Sequence, residues 1–150
     1  MGESTARPGG NTAPGVEGGV WTRAFAAREE DAFADALSQD VVLEGPTLSR
    51  PVRGREEVAL IMATASRVYE SLVFTHEAHH GDRTYVEWEA TALGGTALLG
   101  STILVRDGEG RIVKAVVQHR PLPGLLAFSA EMGRLLVGQV DGDLFHRPVE

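Results

Sequence analysis

TYVEWEATAL, residues Thr84–Leu93, alternates apolar and polar side chains with a period of two. One face carries Val86, Trp88, Ala90 and Ala92; the other carries Tyr85, Glu87, Glu89 and Thr91. Such a pattern marks a strand with one face in a core and one in solvent. Gly81-Asp82 before it and Gly94-Gly95 after it are turn signals, and Asp107-Gly-Glu-Gly110 is another. Ser71–His80, Thr84–Leu93, Thr96–Arg106 and Arg111–Arg120 therefore read as four strands of an antiparallel meander.

Upstream, the period changes. Residues 20–40 place Val20, Ala24, Ala27, Phe33, Ala36 and Leu37 at helical spacing, with Asp31 opening a second short helix. VVLEG, Val41–Gly45, is a β-branched run closed by Gly45-Pro46. Thr47–Gly54 reads as a loop. Residues 55–70 form a helix with Val58, Ile61, Met62, Ala65 and Tyr69 on one face. Downstream, Leu122, Leu125, Leu126, Ser129, Met132 and Leu136 make an amphipathic stripe, a C-terminal helix over 123–138. Helices followed by hairpins predict the α+β class: a curved, mostly antiparallel sheet wrapped around the N-terminal helices as a conical barrel with an internal pocket. Gly, Pro, Ser and Thr dominate residues 1–19, which read as a disordered tail; 20–140 form one domain, and 141–150 read as a second tail.

Composition narrows the functional classes. The formal net charge is -7, with 43% hydrophobic residues. No basic stripe is present to neutralise phosphates or anionic lipid, so neither nucleic acid nor membrane is expected as partner. Zero cysteines exclude disulfides and thiolate catalysis. The N-terminus has no basic-then-apolar leader, and a cytoplasmic protein is the expectation. His76, His79 and His80 lie at a hairpin end, where the adjacent pair point to opposite faces, so no metal is expected; no cofactor motif is present.

AFAAREEDAFADALSQDVVLEGP, VRGREEV and DGEGRIVKAVVQH, in this order around the meander, resemble the nuclear transport factor 2-like superfamily, over roughly Val20–Arg120. That superfamily includes ketosteroid isomerases, limonene-type epoxide hydrolases and SnoaL-like polyketide cyclases, and the fold alone does not choose among them. The resemblance places the isomerases' proton-shuttling Asp on Gly45, their oxyanion-binding Tyr on Trp21 and their protonated Asp on Thr102. The hydrolases' Arg and two Asp fall on Val86, Trp88 and Val117, and their Tyr and Asn on Leu43 and Gly45. None of these residues is kept. Glu44, Glu87 and Glu89 are one position out of phase, and a one-residue slip would bring them inward.

What remains is an apolar pocket lined by Trp21, Leu43, Gly45, Val86, Trp88, Ala90, Leu104, Ala115 and Val117, with Met62 and Tyr69 closing it. His119 and Thr102 are its polar points and the candidate catalytic residues. Ala115, Val117 and His119 share one face of the last strand, whereas the alternation over Thr96–Arg106 leaves open whether Thr102 and Leu104 or Ser101, Ile103 and Val105 face inward. The expected ligand is an apolar, polyketide-like small molecule. The expected activity is a cyclase that folds its substrate for ring closure, [4+2] cycloaddition included. The alternatives are an isomerase or hydrolase with relocated carboxylates, or a binding module without catalysis. The outer sheet face, with Lys114, Val116 and Gln118, is the expected homodimer surface.

Overall fold

A computed structural model describes residues 11–149. The order is α1 (Val20–Ala27), α2 (Glu30–Ala36), β1 (Leu37–Glu44), β2 (Val52–Arg53), α3 (Arg55–Val68), β3 (Tyr69–His80), β4 (Arg83–Ala92), β5 (Thr96–Arg106), β6 (Ile112–Arg120) and α4 (Leu122–Leu135). The strands form one sheet in the order β2-β1-β6-β5-β4-β3. All neighbours run antiparallel except β1 and β6, which are parallel. The sheet is open, with β2 and β3 at its edges, and the helices pack against its inner face. It is the expected α+β cone with a C-terminal helix.

Strand phases follow the hydrophobic pattern. On β4, Thr84, Val86, Trp88, Ala90 and Ala92 are buried while Tyr85, Glu87 and Glu89 are exposed. On β6, Ala115, Val117 and His119 are buried. Register resolves β5: Gly100 pairs with Trp88 and His119, and Thr102 with Val86 and Val117, so Leu98, Gly100, Thr102 and Leu104 face inward.

Several local expectations are corrected. Val20 and Ala27 are exposed, and α1 buries Trp21, Thr22, Ala24 and Phe25 instead. Tyr69 is not on the helix face but opens β3, where its buried ring turns toward β6. Val52–Arg53, inside the stretch read as a loop, is a short edge strand paired with Val42 and Leu43. On α4, Leu122 and Leu126 of the expected stripe are exposed, and Gly124, Phe128, Ser129 and Met132 are buried.

Segments near both ends of the described residues contact the domain. Of the stretch read as an N-terminal tail, residues 1–10 lie outside the described residues, but Thr12 bridges Phe74 and Ala13 N–H donates to the Phe74 carbonyl at 2.9 Å. This segment covers part of the β3 edge, whose unpaired groups would otherwise be open. At the other end Leu144 is fully buried and Phe145 nearly so. Ser49 N–H donates to the Leu144 carbonyl at 2.8 Å, and Arg50 pairs with Asp141 at 2.9 Å. Two adjacent apolar residues find a core here that the polar composition around them hides.

Two glycines are there because backbones or rings come too close for a Cβ. At Gly45 an added Cβ would stand 2.2 Å from the Val117 carbonyl oxygen of β6, and at Gly100 it would stand 2.0 Å from the Trp88 ring. Backbone oxygen cannot swing aside as a side-chain tip can. Gly45→Ala should therefore destabilise the fold by about 2–3 kcal/mol in urea unfolding. Gly108→Ala, at a turn with open space around it, should stay within about 0.5 kcal/mol of wild type.

Candidate functional site

The centre of the cone is a row across four strands: Phe74, Trp88, Gly100 and His119 are successive cross-strand partners. With no side chain at Gly100, the Trp88 indole lies across that position. Its N–H donates to Thr102 Oγ1 at 3.0 Å, a diagonal neighbour on β5. Its ring meets the His119 imidazole edge-on, centroids 5.0 Å apart. Tyr69 and Phe128 complete the cluster: Phe128 stacks on Tyr69 at 5.0 Å and lies 4.7 Å from His119.

Inside this aromatic packing sits one polar pair. Tyr69 Oη and His119 Nε2 are 2.6 Å apart and buried. Burial pushes the Tyr69 hydroxyl above its ordinary range, so it keeps its proton. Burial also lowers His119 from 6.5 to about 4, so the ring is neutral near pH 7. A neutral imidazole has one N–H. If Tyr69 donates to Nε2, that N–H is on Nδ1, which has no partner among the described residues. The opposite assignment would leave the Tyr69 O–H without an acceptor as well. We therefore assign Tyr69 as donor and His119 Nδ1–H as a buried, unused donor.

Two small voids lie among the residues expected to line the pocket. One void, about 20 Å³, is bounded by Leu43, Met62, Val117, His119, Phe128 and Phe145. The other, about 80 Å³, is bounded by Trp21, Thr84, Val86, Leu104 and Arg106 among others. They share no lining residue. Trp88, Thr102, Tyr69, Ala90 and Ala115 line neither; they are buried between or beside the two. Gly45 is half-buried at the end of β1. Thr102 and His119, the two candidate catalytic residues, are both buried, but the Thr102 hydroxyl is engaged by Trp88.

Of the carboxylates out of phase, Glu87 and Glu89 stay outside, whereas Glu44 reaches the edge of a void. Glu44 borders the smaller void but pairs with Lys114 at 3.4 Å, Glu87 lies 3.2 Å from His76 on the outer face, and Glu89 is exposed. Phe128 is the site residue that sequence reading missed. The signal was present in its spacing to Leu125 and Met132, obscured by the leucines at 122 and 126.

His119 gives a pH dependence with a definite sign. Between about pH 6.5 and 4 the unfolded chain binds a proton that the folded protein refuses, so the neutral ring's contribution is complete above 6.5 and is lost as pH falls. Between about pH 7 and 4.5, wild type should lose about 2–3 kcal/mol more unfolding free energy than His119→Gln. Urea titrations at both pH values measure it; parallel curves would mean that His119 titrates normally.

Known proteins place this architecture. The SnoaL-like domain family matches residues 20–120. A steroid delta-isomerase from Pseudomonas aeruginosa is 30% identical, superposes with a TM-score of 0.72, and the match covers 78% of this chain and 86% of that one. Two others are less than 25% identical and show the fold alone. One is a protein from Silicibacter pomeroyi with a cystatin-like fold, 20% identical, TM-score 0.72, covering 77% of this chain and 81% of that one. The other is a proposed SnoaL-like polyketide cyclase from Jannaschia, 15% identical, TM-score 0.60, covering 74% of this chain and 90% of that one. No curated protein matches the sequence. With its meander, cone and C-terminal helix matched across most of its length, the chain belongs to the SnoaL-like domain family.

Proposed function

We propose that the protein is a cyclase-type enzyme that folds an apolar, carbonyl-bearing, polyketide-like molecule for intramolecular ring closure. The observation that carries this reading is the buried Tyr69–His119 pair, with its unused Nδ1–H donor, inside an aromatic cluster. Glu44, which borders the His119 void, is paired with Lys114, and no inward-facing position of β4, β5 or β6 among the described residues holds a carboxylate. Proton abstraction next to a carbonyl needs a base at the carbon and donors at the oxygen. A base is missing from the isomerase position, and Gly45 has no room for one. A neutral histidine with low proton affinity still donates a hydrogen bond, which polarises a carbonyl without transferring a proton.

Ring closure by [4+2] cycloaddition fits those means. Two carbon–carbon bonds form, no atom leaves and no proton moves. The protein has only to hold a chain in its near-attack shape, exclude water and stabilise charge at a conjugated carbonyl. A 20 Å³ void holds about one water. Binding therefore requires Phe128 with α4, or the Trp88 indole, to move aside. A homodimer through the outer sheet face belongs to the same reading, supported by exposed Tyr85 and Leu99 beside Lys114, Val116 and Gln118.

With a linear conjugated polyene ketone as substrate, His119→Ala should lower kcat about tenfold, the value of one lost hydrogen bond in the transition state. Tyr69→Phe should act in the same direction, and Trp88→Ala should abolish ring closure. Rate should be level from about pH 6 to 9. A rate that rises with a carboxylate titration and is lost in Glu44→Gln would replace this reading with acid–base chemistry. A metabolite retained unchanged on the purified protein in native mass spectrometry, with no turnover, would make it a binding module.

A further inference from the structure

The larger void, beside Trp21, has a chemistry that the reading above does not use. Its wall carries a directed chain of hydrogen bonds. Gly18 N–H donates to Glu77 Oε1 at 2.9 Å, and His79 Nε2 lies 2.7 Å from Glu77 Oε2. His79 Nδ1 lies 3.0 Å from Thr84 Oγ1, which accepts from the Arg106 guanidinium. With the His79 proton on Nε2, facing Glu77, each acceptor in the chain has a donor: both Glu77 oxygens, His79 Nδ1 and the Thr84 hydroxyl oxygen.

What is left over is donors. Arg106 is half-buried, uses one of its guanidinium N–H groups on Thr84, and has no carboxylate within ion-pairing distance among the described residues. Trp21 is 2% exposed and its indole N–H has no partner among the described residues. The rest of the wall is apolar Val86 and Leu104, Gly19, Thr22 with its hydroxyl engaged by Gly19, and exposed Glu17. A surplus of donors around an uncompensated guanidinium calls for an anionic acceptor, and the planar fork of arginine matches a carboxylate. The volume, about 80 Å³, is that of two or three waters, enough for a carboxylate on a short apolar stem.

We propose that this cavity is a second binding site, one that takes the carboxylate of a small aliphatic acid against Arg106 and Trp21. Glu17, exposed on its rim, and the Glu77 carboxylate on its wall both oppose an anion and weaken its binding. The site shares no residue with the His119 void, so it stands or falls independently of the cyclase reading.

The protein has two tryptophans, so two indole N–H signals report in a nitrogen–proton NMR spectrum. Sodium butyrate should move the Trp21 signal saturably and leave that of Trp88 in place, and butyramide, the uncharged isostere, should move neither. Arg106→Gln should weaken butyrate binding about tenfold or more, Arg106→Lys less, and Glu17→Gln should tighten it a fewfold. Equal shifts with butyramide, or unchanged butyrate affinity in Arg106→Gln, would overturn the proposal. If Arg106→Gln does not fold, the acid-against-amide comparison on wild type decides alone.

Discussion

The interior is organised by one contact, the Trp88 indole lying across Gly100. Any side chain at Gly100 would occupy the ring's own volume, with even a Cβ 2.0 Å away. The indole spans from β4 over β5 to the His119 ring on β6, and its N–H is anchored on Thr102. This contact fills the middle of the cone and supplies one wall of the Tyr69–His119 pair. Because interiors are close-packed, moving the ring displaces every group it touches. Phe128 then closes the cluster from α4.

The second constraint is electrostatic. On a largely apolar inner face a carboxylate is costly without partners; Glu77 of β3 is held there by Gly18 and His79, and other carboxylates lie on the alternate side chains. Glu44 and Glu87 find Lys114 and His76 there. At the end of β1, the close approach of Gly45 to the Val117 carbonyl removes the space a carboxylate would need. The likeness to a steroid delta-isomerase therefore extends to backbone and topology, whereas the interior offers a hydroxyl and a neutral imidazole where isomerase chemistry calls for acids and bases. His119 can be neutral and buried because Tyr69 satisfies one nitrogen; the other is the site's free valence.

Much of this was legible from pattern. The alternation in Thr84–Leu93 and in Arg111–Arg120 fixes which side chains line the interior, because a strand's period is two and one face is polar. Gly45 could be located in the first strand, but the reason for it, contact with β6, depends on a parallel pairing that no local pattern encodes. The phase of β5 was undecided because both of its faces are apolar or small; only register against Trp88 and His119 settles it. Tyr69 fits a helical period up to the last residue of α3, and tertiary packing draws it into β3. Leu122 and Leu126 obscured Phe128 because hydrophobicity is a poor guide where a helix leaves leucines exposed. The placement of the Trp88 indole over Gly100 was not legible at all, since it depends on the register of β4 against β5.

His119, neutral and accepting from Tyr69, keeps a buried Nδ1–H with no partner among the described residues. Long-range nitrogen–proton NMR of the His119 ring at about pH 6 measures this directly. A neutral ring with the proton on Nδ1 is expected, shifted toward the imidazolium pattern only near pH 4. An imidazolium at about pH 6, or a proton on Nε2, would contradict it.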